Sequence, residues 1–167
     1  MFFIGIVSET KDSEIIKKNL KNSINAETLN IINLNKKNVE NFQNITFDTV
    51  VIMQNLEKWD INIKYLDEII RKSKILLINA DIQIRKDFTN RTDTKVITFG
   101  FNLKSLVLVS SVSDDRILVD LQRSIINANN TVIDSGSRYF PIENKATVYD
   151  ALVTFILEII YGETDKK

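Results

Sequence analysis

The chain reads as an α/β protein built on a three-layer, mostly parallel sheet. Three observations carry that reading. Short runs rich in Ile and Val alternate with segments of helical period, the pattern of strands joined by crossover helices. Runs such as "FFIGIV", "TVVIM" and "KILLINAD" are apolar at nearly consecutive positions, as strands covered on both faces are. After Gly100 the helix-length spacers disappear, which predicts a small antiparallel three-strand sheet and then a C-terminal helix.

The elements follow in order. Residues 2–7 form a buried strand, and residues 11–24 place Ile16, Leu20 and Ile24 on one stripe with Ile15 beside it, a helix packing on a sheet. Residues 28–32 and 49–53 are the second and third strands. Asp60 is placed to cap a helix in which Ile61, Tyr65 and Ile69 line one face with Leu66 and Ile70 alongside. Arg71, Lys72 and Lys74 then stand where the helix dipole favours cations. "KILLINAD" makes a fourth strand, residues 83–89 a short helix, and "KVITFG" a fifth strand.

Beyond Gly100, "SLVLVSSV", "RILVDLQRSI" and "TVIDSGSRYFPI" are extended runs separated by the turn-forming "SDD" and "NANN". Ile117, Val119 and Leu121 alternate with Arg116, Asp120 and Gln122 at period two. Residues 145–161 form the last helix, with Val148, Leu152, Phe155 and Ile159 on one face and Gly162 where a helix C-terminus prefers glycine. Residues 1–162 make a single domain, with no linker or internal repeat to divide them, and residues 163–167 read as a disordered tail.

Composition narrows the functional classes. At 167 residues the chain can bury roughly 70% of the surface its unfolded form exposes, with no need of disulfides or metal. Lys plus Arg equals Asp plus Glu, at 22 each, so no net field draws the protein to nucleic acid or anionic lipid. There is no Cys and no His. That removes thiolate chemistry, imidazole ligands and the commonest acid/base at neutral pH. The opening "MFFIGIVSE" has no basic leader, and the apolar "ALVTFILEII" is too short to span a bilayer and carries Glu158. These features predict a cytoplasmic protein without membrane attachment.

Isolated polar clusters point to structure more than to chemistry. Asp114 and Asp115 in "SDDR" read as a solvated hairpin turn rather than a metal site, and Lys17, Lys18 and Lys21 as a solvated helix face. Trp59, between Glu57 and Asp60, anchors the helix after it or lines a pocket at a strand end. A phosphate-accepting receiver-like domain needs an acidic pocket and a following Lys that the chain does not offer.

The succession "LLINAD", "VITFGFN", three antiparallel runs and "ATVYDALVTFILEIIYG" resembles the later half of the central domain of the Mur ligases, ATP-dependent enzymes that add amino acids to peptidoglycan precursors. Order and spacing match over about residues 76–162, and "FFIGIV" corresponds to the strand before the family's phosphate loop. The resemblance implies a P-loop-type, Mur ligase central-domain-like fold. It matches Asn79 and Asp81 to the family's Asn-Ala-Asp motif, whose Asn lies by adenine. The same two residues also suit a strand end and a helix N-cap. Where the family has Gly-x-His-Asn, this chain has Asn144, Lys145, Ala146 and Thr147, and its "NLEKWD" lacks the magnesium-related His.

The family's phosphate loop departs furthest. It reads Thr-Gly-Thr-Asn-Gly-Lys-Thr/Ser, with glycines that let backbone N–H groups turn onto phosphate. "IVSETKDS" keeps Lys11 and Ser13, loses the inner glycines and puts Glu9 and Asp12 where anionic oxygens would lie. A carboxylate about 4 Å from a phosphate oxygen costs on the order of 4 kcal/mol at an effective dielectric near 20. One lysine does not replace a ring of backbone donors.

The reading is therefore a Mur ligase-like domain that has lost the phosphate loop and serves as a non-catalytic binding or assembly module. It expects a protein partner or self-association, no cofactor, no metal and no catalytic residue. The alternative is an ATP-binding, amide ligase-like enzyme with ATP and Mg²⁺ at the carboxyl edge of the sheet. Its cofactor-binding residues would be Lys11, Ser13, Asn55, Asn79 and Asp81.

Overall fold

The computed structural model of the chain describes residues 1–24, 28–83 and 86–162, with the backbone alone at residue 22. The expectation for residues 163–167 lies outside the described residues. Among the described residues, ten strands and five helices follow one another. They are β1 (Phe2–Val7), α1 (Thr10–Ser23), β2 (Leu29–Asn33), a 3₁₀ turn (Val39–Phe42), β3 (Thr49–Ile52), α2 (Leu56–Trp59), α3 (Ile63–Lys72) and β4 (Ile75–Asn79). Then come α4 (Lys86–Thr89), β5 (Lys95–Gly100), β6 (Val107–Val112), β7 (Arg116–Leu121), β8 (Ile125–Ile126), β9 (Val132–Ile133), β10 (Gly136–Pro141) and α5 (Val148–Tyr161).

Eight strands make one sheet in the order β10-β7-β6-β5-β4-β3-β1-β2. Pairings from β2 to β6 are parallel; β6–β7 and β7–β10 are antiparallel. The central parallel strands β1, β3 and β4 are almost wholly apolar because both faces are covered. Ile4, Ile6, Val51, Leu77, Ile97 and Phe99 pack with α1 and α5, whereas Val7, Val50, Ile52, Leu76 and Ile78 pack with α2, α3 and the 3₁₀ turn. Ile16 and Leu20 of α1 are buried as their stripe predicts. The chain leaves β1 toward one face and β3 toward the other. This opens a crevice between adjacent strand ends, the place where doubly wound sheets hold ligands.

The antiparallel region corrects the sequence reading. Its three principal strands are β6, β7 and β10, but they continue the main sheet instead of forming a small sheet of their own. The join is a parallel overlap of two pairs, Phe99 with Val107 and Gly100 with Leu108. Parallel neighbours ordinarily need a crossover of about a dozen residues or more; here residues 101–106 suffice because β6 begins beside the last two residues of β5 and not beside its start. The run "TVIDSGSRYFPI" is interrupted at Asp134 and Ser135 and so gives β9 and β10, the latter opening on Gly136 with φ 144°. β9 pairs with β8 in a separate two-stranded antiparallel sheet.

Three helix boundaries also differ. Asp60 does not cap α3: it closes α2 in a left-handed conformation (φ 51°), and Asn62 caps α3 by accepting from Lys64 N and Tyr65 N at 3.1 and 3.4 Å. α5 starts at Val148 rather than residue 145 because Asn144 and Lys145 have φ of 54° and 62°. Thr147 and Asp150 then form a reciprocal capping box. Gly162 follows α5 without left-handed geometry (φ −65°); glycine is required there because a Cβ would lie 2.5 Å from Glu158 O. Of the expected helix at 83–89, the described part is α4. Among the described residues no helix is long and apolar enough to cross a membrane.

Candidate functional site at the carboxyl edge of the sheet

The β1–α1 turn brings Ser8, Glu9 and Thr10 to the carboxyl edge and starts α1 with Glu9 at its N-cap. Glu9 makes no side-chain cap bond. Both serines turn onto local backbone: Ser8 Oγ donates to Glu9 O at 2.9 Å and buried Ser13 Oγ donates to Thr10 O at 2.8 Å. Lys11 is exposed and pairs with Glu9 at 3.3 Å, a contact that raises its pKa.

Beside this turn lies a hollow of about 210 Å³ lined by Glu9, Lys11, Asp12, Met53, Gln54, Thr147 and Tyr149. Its electrostatics are acidic. Burial raises the Asp12 pKa first, and the Asp150 and Glu9 carboxylates add to it. Burial likewise raises Asp150, against the opposing hydrogen bonds from Thr147. Asp150 Oδ2 accepts from Thr147 N and Thr147 Oγ1, both at 2.8 Å, while buried Oδ1 has no partner.

The other expected site residues serve the fold around this edge. Asn55 Oδ1 accepts from Glu57 N at 3.0 Å and Lys58 N at 3.4 Å, capping α2. Asn79 is buried; its Nδ2 donates to Met53 O at 3.4 Å and its Oδ1 accepts from Asp81 N at 3.0 Å, linking the ends of β3 and β4. Asp81 accepts from Phe101 N at 2.7 Å, Asn102 N at 2.8 Å and Tyr149 Oη at 3.0 Å. It thereby holds the turn after β5 that launches β6, and it caps no described helix. Burial, followed by this Asp81 contact, pushes the Tyr149 pKa up to about 12. Asn79 and Asp81 are thus brought together, Lys11 alone of the five lines the small hollow, and Ser13 and Asn55 are spent on their own helices.

A larger cleft of about 530 Å³ opens on the other side of the β1–α1 turn. Ser8, Glu9 and Thr10 form one wall, Asn33, Asn35, Lys36 and Lys37 after β2 a second, and Lys58, Trp59 and Asp60 a third. The sequence names Trp59 as an anchor or a pocket residue; it is both, half-buried against the core beneath α2 and α3 and lining the cleft. The lysine pair after β2 escaped the sequence reading, because only the fold sets "NLNKKN" beside α2.

Among the described residues no group of three or more acidic, His or Cys side chains is placed to hold a metal ion. Asp114 and Asp115 lie in the β6–β7 hairpin, which is closed by a bond from Ser113 N to Arg116 O at 2.9 Å. No protein-family model matches the chain, and no curated protein matches it in sequence.

Proposed function

We propose that the chain is a Mur ligase-like α/β domain that acts as a binding or assembly module and has no ATP-dependent chemistry. The supporting observation is the acidic β1–α1 turn: Glu9 and Asp12 flank it, burial and then the Asp150 charge raise the Asp12 pKa, and the Ser13 hydroxyl is turned into its own helix. A triphosphate there would face two carboxylates, each costing on the order of 4 kcal/mol at about 4 Å and an effective dielectric near 20. Lys11 offsets only part of this, being one exposed point charge beside the two carboxylates.

A nucleotide thermal-shift series with and without Mg²⁺ tests this reading. Ligand at about 100 times its Kd stabilises a fold by about 2.7 kcal/mol, a displacement easily seen in the melting point. The expected result is no shift with ATP and Mg²⁺ at millimolar concentration. A saturable shift that Lys11→Ala removes would instead establish the alternative, an ATP-binding ligase-like site around Lys11, Ser13, Asn55, Asn79 and Asp81. Sedimentation over a range of concentrations tests the assembly role, for which a concentration-dependent dimer is the supporting outcome.

A further inference from the structure

We infer that the larger cleft binds a small organic anion carrying a planar ring, such as an aromatic phosphate monoester; this rests on the binding-module reading above. Its volume, about 530 Å³, lies within the range of small-ligand sites.

Charge accounting within the cleft sets the sign of the ligand. Five charged side chains line it, and its two carboxylates are already engaged: Glu9 with Lys11 at 3.3 Å and Asp60 with Lys36 at 3.4 Å. Lys37 and Lys58 have no side-chain partner among the described residues and leave the cleft with uncompensated positive charge. The Lys36–Asp60 pair is exposed on both sides, so Lys36 can turn to an incoming anion at little loss.

The loop that carries two of the cations, Lys36 and Lys37, is held by an asparagine network. Asn33 Nδ2 donates to Ser8 O at 2.9 Å, tying the end of β2 to the end of β1. Asn35 Nδ2 donates to Asn33 Oδ1 at 3.0 Å, Asn38 Nδ2 to Asn33 O at 2.8 Å, and Asn35 Oδ1 accepts from Lys37 N at 2.9 Å. The loop bearing Lys36 and Lys37 is therefore ordered before any ligand arrives, which spares binding the entropy of ordering it.

Trp59 supplies the reason for a ring. Its amide donates to Asn55 O at 2.9 Å, Asn55 caps the preceding turn, and left-handed Asp60 ends α2 immediately after it. The indole packs partly on the core beneath α2 and α3 and lines the cleft with its remaining surface, which offers a planar ligand a stacking face, whereas lysines alone are point charges that hold a bare anion weakly.

Trp59 is the sole tryptophan, so its emission reports on the cleft. The intact chain is titrated with phenyl phosphate, inorganic phosphate, benzamidinium and ATP with Mg²⁺. Phenyl phosphate should give a saturable change, about tenfold tighter than inorganic phosphate, and benzamidinium none. The exposed Lys37→Gln/Lys58→Gln double variant, checked for unchanged circular dichroism, should bind phenyl phosphate about tenfold more weakly. The inference is overturned if phenyl phosphate gives no saturable change up to about 10 mM, if the double variant binds it equally well, or if benzamidinium matches it. Binding lost in Lys11→Ala but retained in the double variant would place the ligand at the β1–α1 turn and also overturn it. Stabilisation by ATP and Mg²⁺ that Lys11→Ala removes would defeat the underlying reading instead, whereas an ATP response that only the double variant removes would lie in the cleft and support the inference.

Discussion

Tyr149 Oη donates a 3.0 Å hydrogen bond to Asp81 Oδ2, joining the first turn of α5 to the end of β4 across 68 residues of sequence. The same carboxylate takes the amides of Phe101 and Asn102, and the Tyr149 ring meets Phe101 edge-on at 6.0 Å. One side chain thus fastens three segments where the parallel strands give way to antiparallel ones.

Asp81→Ala should be destabilising by about 2–3 kcal/mol, since hydrogen bonds to a charged group contribute more than neutral ones and two loop amides lose their acceptor. Urea unfolding would show this as a lower midpoint with an unchanged slope. Tyr149→Phe, which removes a single contact, should cost about 1 kcal/mol.

Gly100→Ala should be at least as damaging, about 2 kcal/mol or more. Gly100 has φ 140°, and an added Cβ would collide with the Asp81 carboxylate. In a double-mutant cycle with Asp81→Ala the losses should sum to less than the two singles, because removing the carboxylate relieves the collision while the backbone strain persists.

The two tyrosines of α5 should titrate late, with pKa values pushed up to about 12 by burial. A folded-state pKa above the unfolded value of about 10 means the neutral phenol is favoured by folding. That stability is fully present below about pH 10 and is lost as pH rises through about 12. Absorbance of the phenolate and the melting point, followed together over this window, check it. Tyr161→Phe should also cost about 1–2 kcal/mol at neutral pH, because buried Thr49 Oγ1 loses its partner at 2.6 Å.

Asp12→Asn should raise the melting point at pH 7. Asp12 and Asp150 both have folded pKa values above the usual 3.8, so each binds its proton more tightly when folded. Their contribution is present below pH 3.8 and is lost as pH rises through the folded values, leaving two disfavoured carboxylates at neutrality. The gain from Asp12→Asn should therefore shrink as the buffer is taken down toward pH 4. A variant that melts lower than the parent at pH 7 would contradict this account.

The fold class was legible in the sequence because it depends on regular, local patterns. Val50, Val51 and Ile52, or Leu76, Leu77 and Ile78, are apolar in succession only if both faces of a strand are covered, and both are. The stripe in α1 likewise predicted which side packs on the sheet. The capping box at Thr147 and Asp150 was also there to be read, as Thr-x-x-Asp ahead of an apolar run, and would have moved the start of α5 to its observed place.

Short polar side chains outside such a motif carry no such signal. Asn55, Asn62 and Asp81 all follow or precede apolar segments in similar local sequence, yet one caps α2, one caps α3 and one binds a turn beyond the next strand. The alternation in β7 likewise said which residues face inward but not that β6 would dock beside β5. The sequence by itself determined the layers, since burial of apolar area is a sum over many residues that tolerates local error. Only the tertiary structure decided which polar groups meet, because a single directional bond depends on segments that folding alone brings within about 3 Å.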